Sequence, residues 1–165
     1  MARGPDQWTS WLDRHGPALL LFARQWLPCR ADAEDVVQEA FVRFWRSRQR
    51  ANDPTAYIFA CVKRCALDWQ RSHRRRSRRE EAIARREGDT LFLPAIEQDE
   101  RRRSIEAALN TLPEEQREVL VLKIWGELSF PQIAVALSIA VNTAASRYRY
   151  ALAKLRQQLA EEPIP

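Results

Sequence analysis

An all-α fold, two small helical domains joined by a flexible linker, is what the sequence predicts, and three observations predict it. Apolar residues recur at helical spacing along both halves of the 165-residue chain. Only four glycines occur (Gly4, Gly16, Gly88 and Gly126), few for a sheet protein full of tight turns. Between the halves runs a segment so dense in charge that it reads as a spacer. The expected division is residues 1–76, a linker over 77–99, and residues 100–165.

Composition narrows the classes of function. Apolar residues make up 45% of the chain, enough to bury a core. No run of about 18 or more uncharged apolar residues exists, so no membrane insertion is expected. Met1 to Asp6 lack a cationic start followed by an apolar run, so no signal peptide is expected either. Three cysteines (Cys29, Cys61 and Cys65) leave one unpaired if two were bridged, which argues against a disulfide scaffold and for a cytoplasmic protein. Cys61 and Cys65 share a helix face and read as buried structural thiols. With His15 and His73 as the sole histidines, no metal and no other cofactor is expected. The chain has no phosphate-binding glycine loop and no HExxH, so no catalytic residues are expected and an enzyme is set aside.

The location of the charge says more than its total. Residues 71–86 hold eight arginines and two glutamates, a local net of +6. The whole chain carries +5, which leaves −1 for all the rest. One concentrated basic patch attracts a polyanion such as nucleic acid. A solvated, self-repelling linker has the same composition, and the two readings are compatible.

The elements follow in order. Trp8, Leu12, Leu19, Phe22, Ala23 and Trp26 form a helical stripe, which Gly16-Pro17 is expected to bend or divide. Asp32 is a good N-cap for a second helix through about Ser47, with Glu34 and Asp35 at its positive end. At 100° per residue, Ala33, Val37, Ala40, Phe41 and Phe44 form its core stripe, with Trp45 at the edge. Asp35, Glu39, Val42 and Arg46 point away, with Gln38 on a shoulder. Val42 among those charges hints at a partner surface. Asp53-Pro54 is a cap followed by proline and opens a third helix. Ile58, Cys61, Val62, Cys65 and Trp69 share one side of it, while Phe59 and Leu67 lie elsewhere beside Lys63, Arg64 and Arg71. Apolar residues all round suggest the central helix of a bundle; the alternative is that some of these aromatics are offered to bases. Residues 77–90 are too charged to order themselves and are expected to be mobile. Leu91 to Ile96 (LFLPAI) are too apolar for a spacer and are expected to dock on a domain or a partner.

The second half carries the most specific pattern. Leu112-Pro113-Glu114-Glu115, with proline in the first turn and acids at the positive end, opens a helix that Trp125-Gly126 stops. Ser129-Phe130-Pro131-Gln132 has capping-box spacing before a short helix whose buried edge is Ile133, Ala134 and Leu137. A turn over Ser138 to Val141 leads to Asn142, read as the cap of the last helix. There Ala144, Tyr148, Ala151 and Leu155 form the buried stripe. Ser146 and Tyr150 project opposite, flanked by Asn142 and Arg149 on one side and by Thr143 and Arg147 on the other. These groups hydrogen-bond base edges and phosphates in a major groove, so the unit reads as a helix-turn-helix.

At this point the residues resemble a known family. Leu112 to Leu120, Ile133-Ala134, Asn142-Thr143, Ser146-Arg147 and Ala151 to Arg156 resemble region 4 of sigma-70-type sigma factors. Asp32 to Phe41 resembles their region 2, and Asp68 with Arg71 matches its later part. With these two regions and a short linker, the chain resembles an extracytoplasmic-function (ECF) sigma factor. The resemblance implies that Asp35, Gln38, Glu39 and Val42 face the clamp helices of the polymerase β′ subunit. It implies that the third helix melts the −10 element and holds a flipped base, a task for Tyr57, Phe59, Lys63, Arg64, Trp69, Arg71, Arg74 and Arg75. Opening strands needs aromatic and cationic groups together, because stacking on protein replaces lost base stacking. Asn142, Thr143, Ser146, Arg147, Arg149 and Tyr150 would read the −35 element, with region 4 also meeting the β flap. The implied partners are RNA polymerase core, promoter DNA and an anti-sigma factor.

Two positions depart from the family pattern. Arg64 stands where many members have Asn, and its expected partner is Asp68, one turn on. Ser138 stands where the turn often has Gly, at a cost of roughly 1 kcal/mol if φ is positive. The rival readings are a helix-turn-helix regulator that acts without docking on polymerase, and a structural nucleoid protein. The Asp35 to Phe41 motif argues against the first, and a specific recognition helix against the second.

Overall fold

In the computed structural model, residues 5–77 and 107–161 are described. Every regular element among them is helical. The chain divides into two compact units, Met1–Phe92 and Leu93–Pro165. Of the expected linker, Ser77 is the last residue of the third helix; residues 78–99, with the docking segment Leu91 to Ile96, lie outside the described residues.

In the first unit, α1 spans Pro5–Arg24, α2 Arg30–Ser47 and α3 Pro54–Ser77, with a short 3₁₀ turn at Arg48–Arg50. Helix α1 is not divided at Pro17. The proline removes one backbone bond, but Trp8 and Trp11 before it and Leu19 and Phe22 after it are all buried on one side. Anchoring both halves to one core offsets the missing bond. The start of α2 also differs from expectation. Its N-cap is Cys29, and Asp32 lies in the first turn, where its carboxylate accepts from the Cys29 thiol at 2.9 Å. Asp32 therefore serves the positive helix end without capping it. Asp53 does cap α3, accepting from the Ala56 N–H at 3.0 Å.

The core of this unit is aromatic. Trp8 meets Phe44 edge-on at 5.1 Å, and Phe22 meets Phe59 at 5.7 Å. Helix α2 buries Ala33, Val36, Ala40 and Phe44. Val36 was not in the expected stripe, and Val37 and Phe41 are only half-buried. The stripe is thus turned by about one residue toward α1 and α3. Gln70 closes the packing by donating to the Trp26 carbonyl at 3.0 Å.

In the second unit, helical residues 107–111 (α4) precede α5 (Glu114–Ile124), α6 (Phe130–Leu137) and α7 (Val141–Glu161). Leu109, Leu112, Leu120 and Ala151 form its core, with Trp125, Tyr148, Leu152 and Leu155 packed against it. Thr111 ties α4 to α7: its hydroxyl donates to Gln158 at 2.7 Å, and its carbonyl accepts from Lys154 at 3.0 Å. Pro113 is the N-cap of α5 rather than a residue of its first turn. After α5 the chain turns so tightly that a Cβ on Gly126 would sit 2.6 Å from the Leu122 carbonyl oxygen. Glycine is required there for want of space, not for its φ.

Candidate functional site

The geometry of the second unit is set by the two ends of α6. At its start, the Ser129 hydroxyl accepts from the Gln132 N–H and the Gln132 side chain accepts from the Ser129 N–H, a complete capping box. At its end, Ser138 adopts φ 54° and ψ 48°, the left-handed conformation, and the Ile139 N–H bonds back to the Ala134 carbonyl at 3.0 Å. This turn aims α7 across α6. Helix α7 begins at Val141, and the Ala144 N–H bonds to the Ala140 carbonyl, so Asn142 is not the cap. Its amide is instead exposed in the first turn.

Helix α7 buries Ala144 and Ala151 and half-buries Tyr148 and Leu155. On the opposite side, Asn142, Arg149 and Tyr150 are exposed and Thr143 and Ser146 are half-exposed. Ser146 donates to the Asn142 carbonyl at 2.9 Å and accepts from Arg149 at 3.5 Å, which leans the Arg149 guanidinium along the outward surface of α7. Arg147 differs in kind. It is only 26% exposed and pairs with Glu115 of α5 at 3.5 Å, close to the body of the unit. The expected recognition residues therefore form one outward surface with Arg147 at its edge.

In the first unit, Asp35, Gln38, Glu39 and Val42 are all exposed along one face of α2, and Val42 is 50% exposed. Glu39 accepts from Arg43 at 2.7 Å. The third helix does not offer every expected residue. Phe59 is fully buried against Phe22, so it belongs to the core and is withdrawn from the DNA surface. Its bulk serves α1 packing in a position no base can reach. Tyr57 is half-buried against Phe44 at 5.9 Å. With Arg43, Arg46, Ser47, Cys61 and Arg64, it lines a cleft of about 260 Å³. Trp69 is half-buried and stacks on His73 at 4.5 Å. Lys63 is half-buried, while Arg64, Arg71, Arg74 and Arg75 are exposed. The expected partner of Arg64 is taken: Asp68 pairs with Arg43 at 3.5 Å and with Arg71 at 4.0 Å.

Burial raises the Cys61 thiol and pushes the Cys65 thiol up to about 11, so both are neutral in the floors of clefts between α2 and α3. A thiol that stays protonated is a poor nucleophile and a poor ligand. Sequence reasoning passed over Arg43, although the Glu39-to-Arg43 spacing is itself an i,i+4 pairing pattern. It also missed the Arg48 guanidinium, which lies 3.5 Å over the Trp45 ring. Among the described residues, no helix is long and apolar enough to cross a membrane.

Together, a capped short helix, a left-handed turn and a polar face on the following helix define a DNA-binding unit of the helix-turn-helix class. Known proteins place it further. Residues 11–76 match the family model for sigma-70 region 2, and residues 102–155 that for sigma-70 region 4. The RNA polymerase sigma-E factor of Streptomyces coelicolor is 30% identical over 145 residues, covering 86% of this chain and 80% of that protein. The ECF RNA polymerase sigma factor SigL of Mycobacterium tuberculosis is 31% identical over 157 residues, covering 90% and 86%. The fold is also that of the sigma factor RpoE of Bartonella quintana, solved in complex with the anti-sigma factor NepR (TM-score 0.74, 22% identity, 95% of this chain and 99% of that one). CnrH, solved in complex with the cytosolic domain of CnrY, superposes with a TM-score of 0.64 at 27% identity over 97% and 92% of the two chains. The chain belongs to the sigma-70 family of RNA polymerase sigma factors, and to its ECF type. A regulator that acts without polymerase is not favoured, because region 2 is present as well as region 4.

Proposed function

We propose that this ECF sigma factor directs core RNA polymerase to promoters through three surfaces. Asp35, Gln38, Glu39 and Val42 dock on the β′ clamp helices. The cationic edge of α3, with Tyr57, Lys63, Arg64, Trp69, Arg71, Arg74 and Arg75, opens and holds the −10 strand. The outward side of α7, with Asn142, Thr143, Ser146, Arg147, Arg149 and Tyr150, reads the −35 element, while the same unit meets the β flap. Residues 77–99 join the two regions. No chemical step falls to this chain, and it works in the cytoplasm, where the polymerase is. Because RpoE was solved with the anti-sigma factor NepR, and CnrH was likewise solved in a complex, with the cytosolic domain of CnrY, an anti-sigma factor is proposed as a further partner.

One observation carries this reading. A single chain holds both an exposed acidic stripe on α2 and a helix-turn-helix whose second helix shows an exposed polar face. A DNA-binding regulator needs only the second. Run-off transcription with core polymerase tests it, alongside a core pull-down of the variant Asp35→Arg with Glu39→Arg. Both side chains are exposed, so the variant should fold and lose core binding through reversal of two charges. A folded double variant that binds core as well as the parent overturns the docking assignment.

A further inference from the structure

Arg43 lies outside the proposed docking and DNA surfaces, yet it pairs with an acid of the first and with the acid that holds Arg71 of the second. Its Nη2 is 2.7 Å from Glu39 Oε1, one turn back on α2, and its Nη1 is 3.5 Å from Asp68 Oδ2 on α3. The other oxygen of Asp68, Oδ1, is 4.0 Å from Arg71 Nη1. Arg43 also walls both clefts between α2 and α3, the one over Cys61 and the one over Cys65. Its guanidinium is therefore shared between an acid of the docking stripe and the acid that tethers an arginine of the DNA edge.

We propose that Arg43 is a positioning residue that relays occupancy of the docking stripe to the DNA edge of α3. The inference rests on the reading that Glu39 meets a polymerase cation and that Arg71 meets a phosphate. A cation arriving at Glu39 competes for the carboxylate and repels Arg43 at the same time. The guanidinium then turns both nitrogens onto Asp68, a bidentate geometry that suits its planar fork. Asp68 Oδ1 is taken up, and Arg71 is released toward the nucleic acid. In the free protein the balance runs the other way: Glu39 holds one arm of Arg43, and Asp68 keeps a hold on Arg71.

The strengths involved suit a relay. The four side chains are between 43% and 74% exposed, the range in which ion pairs are weak and exchange readily. A buried pair would hold Arg71 whatever happened at Glu39. The competing account is that Arg43 merely staples α2 to α3, and stability measurements alone would not tell the two apart. The salt dependence of nucleic-acid binding does, because it counts phosphate contacts.

The test uses the full chain and a fluorescent single-stranded oligonucleotide of random sequence, with affinity measured against salt concentration. Glu39→Gln mimics the occupied stripe. It should steepen the slope of log affinity on log salt by about 0.7, one phosphate contact on a single strand. Low-salt affinity should rise roughly two- to fivefold, in keeping with one exposed ion pair. In an Arg43→Gln background the same change should have no effect on slope. Equal steepening in both backgrounds means that Glu39 acts through its charge alone, and overturns the relay. No steepening in the parent overturns it as well. Arg71→Ala probes the underlying reading separately. A flattened slope there with a silent Glu39→Gln leaves the DNA edge standing and removes the relay, whereas an unchanged slope removes both. Thermal melts by circular dichroism establish that each variant is folded.

Discussion

Replacing Ser138 with glycine is expected to stabilise the second unit, and the structure sets the size of the gain. Ser138 holds φ 54° and ψ 48° at the end of α6, the left-handed conformation in which the Cβ of an L-residue crowds the following carbonyl. A left-handed conformation costs an L-residue roughly 1–2 kcal/mol. Glycine removes that cost but loosens the unfolded chain, which returns roughly 0.4–1 kcal/mol. The net gain is about 1 kcal/mol. Neither capping bond depends on the serine side chain, since the turn is closed by the Ser138 and Ile139 backbone N–H groups. The effect is best read locally, because a melt of the whole chain mixes two units. Native-state amide exchange in α6 and the first turns of α7 should slow about fivefold wherever exchange needs the unit to open. Promoter choice should not change, because the turn keeps its geometry. Exchange that stays the same or quickens would refute the strain argument and mean that serine is at ease in this turn.

Two further outcomes are expected. Arg149→Ala should relax discrimination among −35 variants by about 1–3 kcal/mol at one position, while Arg147→Ala, tied to Glu115 at 3.5 Å, should weaken all sequences alike; transcription from a library of −35 variants separates them. The Cys65 thiol rises from an ordinary 9.0 to about 11 on burial, so its contribution to folding is intact below pH 9 and is lost as pH climbs toward 11. Unfolding of the first unit by urea across that range should show the loss in the parent and much less of it in Cys65→Ala.

Much of this architecture was legible because it rests on local rules. Ser129 and Gln132 form their capping box, Asp53 caps α3, and Trp125-Gly126 ends α5, each a matter of a few adjacent residues. The readings that failed needed tertiary knowledge. Asp32 looks like a cap until Pro28-Cys29 is seen to bring the chain into the helix earlier. Phe59 lies one helical turn before Lys63 and invites a DNA role, but α1 covers that side of α3 with Phe22. Periodicity alone does not say which sides of an all-round apolar helix are covered. The outward stripe of α2 was readable because one side of that helix is plainly polar, whereas the partner of Asp68 was not, since Arg43 reaches it from another helix.

With Phe59 inside, the remaining residues of α3 sort into a simpler pattern. At 100° per residue, Tyr57, Arg64, Asp68, Arg71 and Arg75 fall within about 60° of one another, on a single stripe along the helix. All but the half-buried Tyr57 are exposed. Trp69 lies about a third of a turn away, over the cleft that Glu39 and Asp68 also line. From Tyr57 to Arg75 the stripe rises about 27 Å at 1.5 Å per residue, long enough to follow several nucleotides of a strand. Such a line can follow a single strand across an opened element, with Tyr57 at one end for stacking and arginines after it for phosphates. Asp68 is the one acid in it, and it lies between Arg64 and Arg71, where a carboxylate repels the strand the others attract. Arg43 is the group that neutralises it from outside the line. On the proposed reading, a cationic track with its only acid answered by α2 would bind nucleic acid to a degree set by α2, the helix proposed to meet the polymerase.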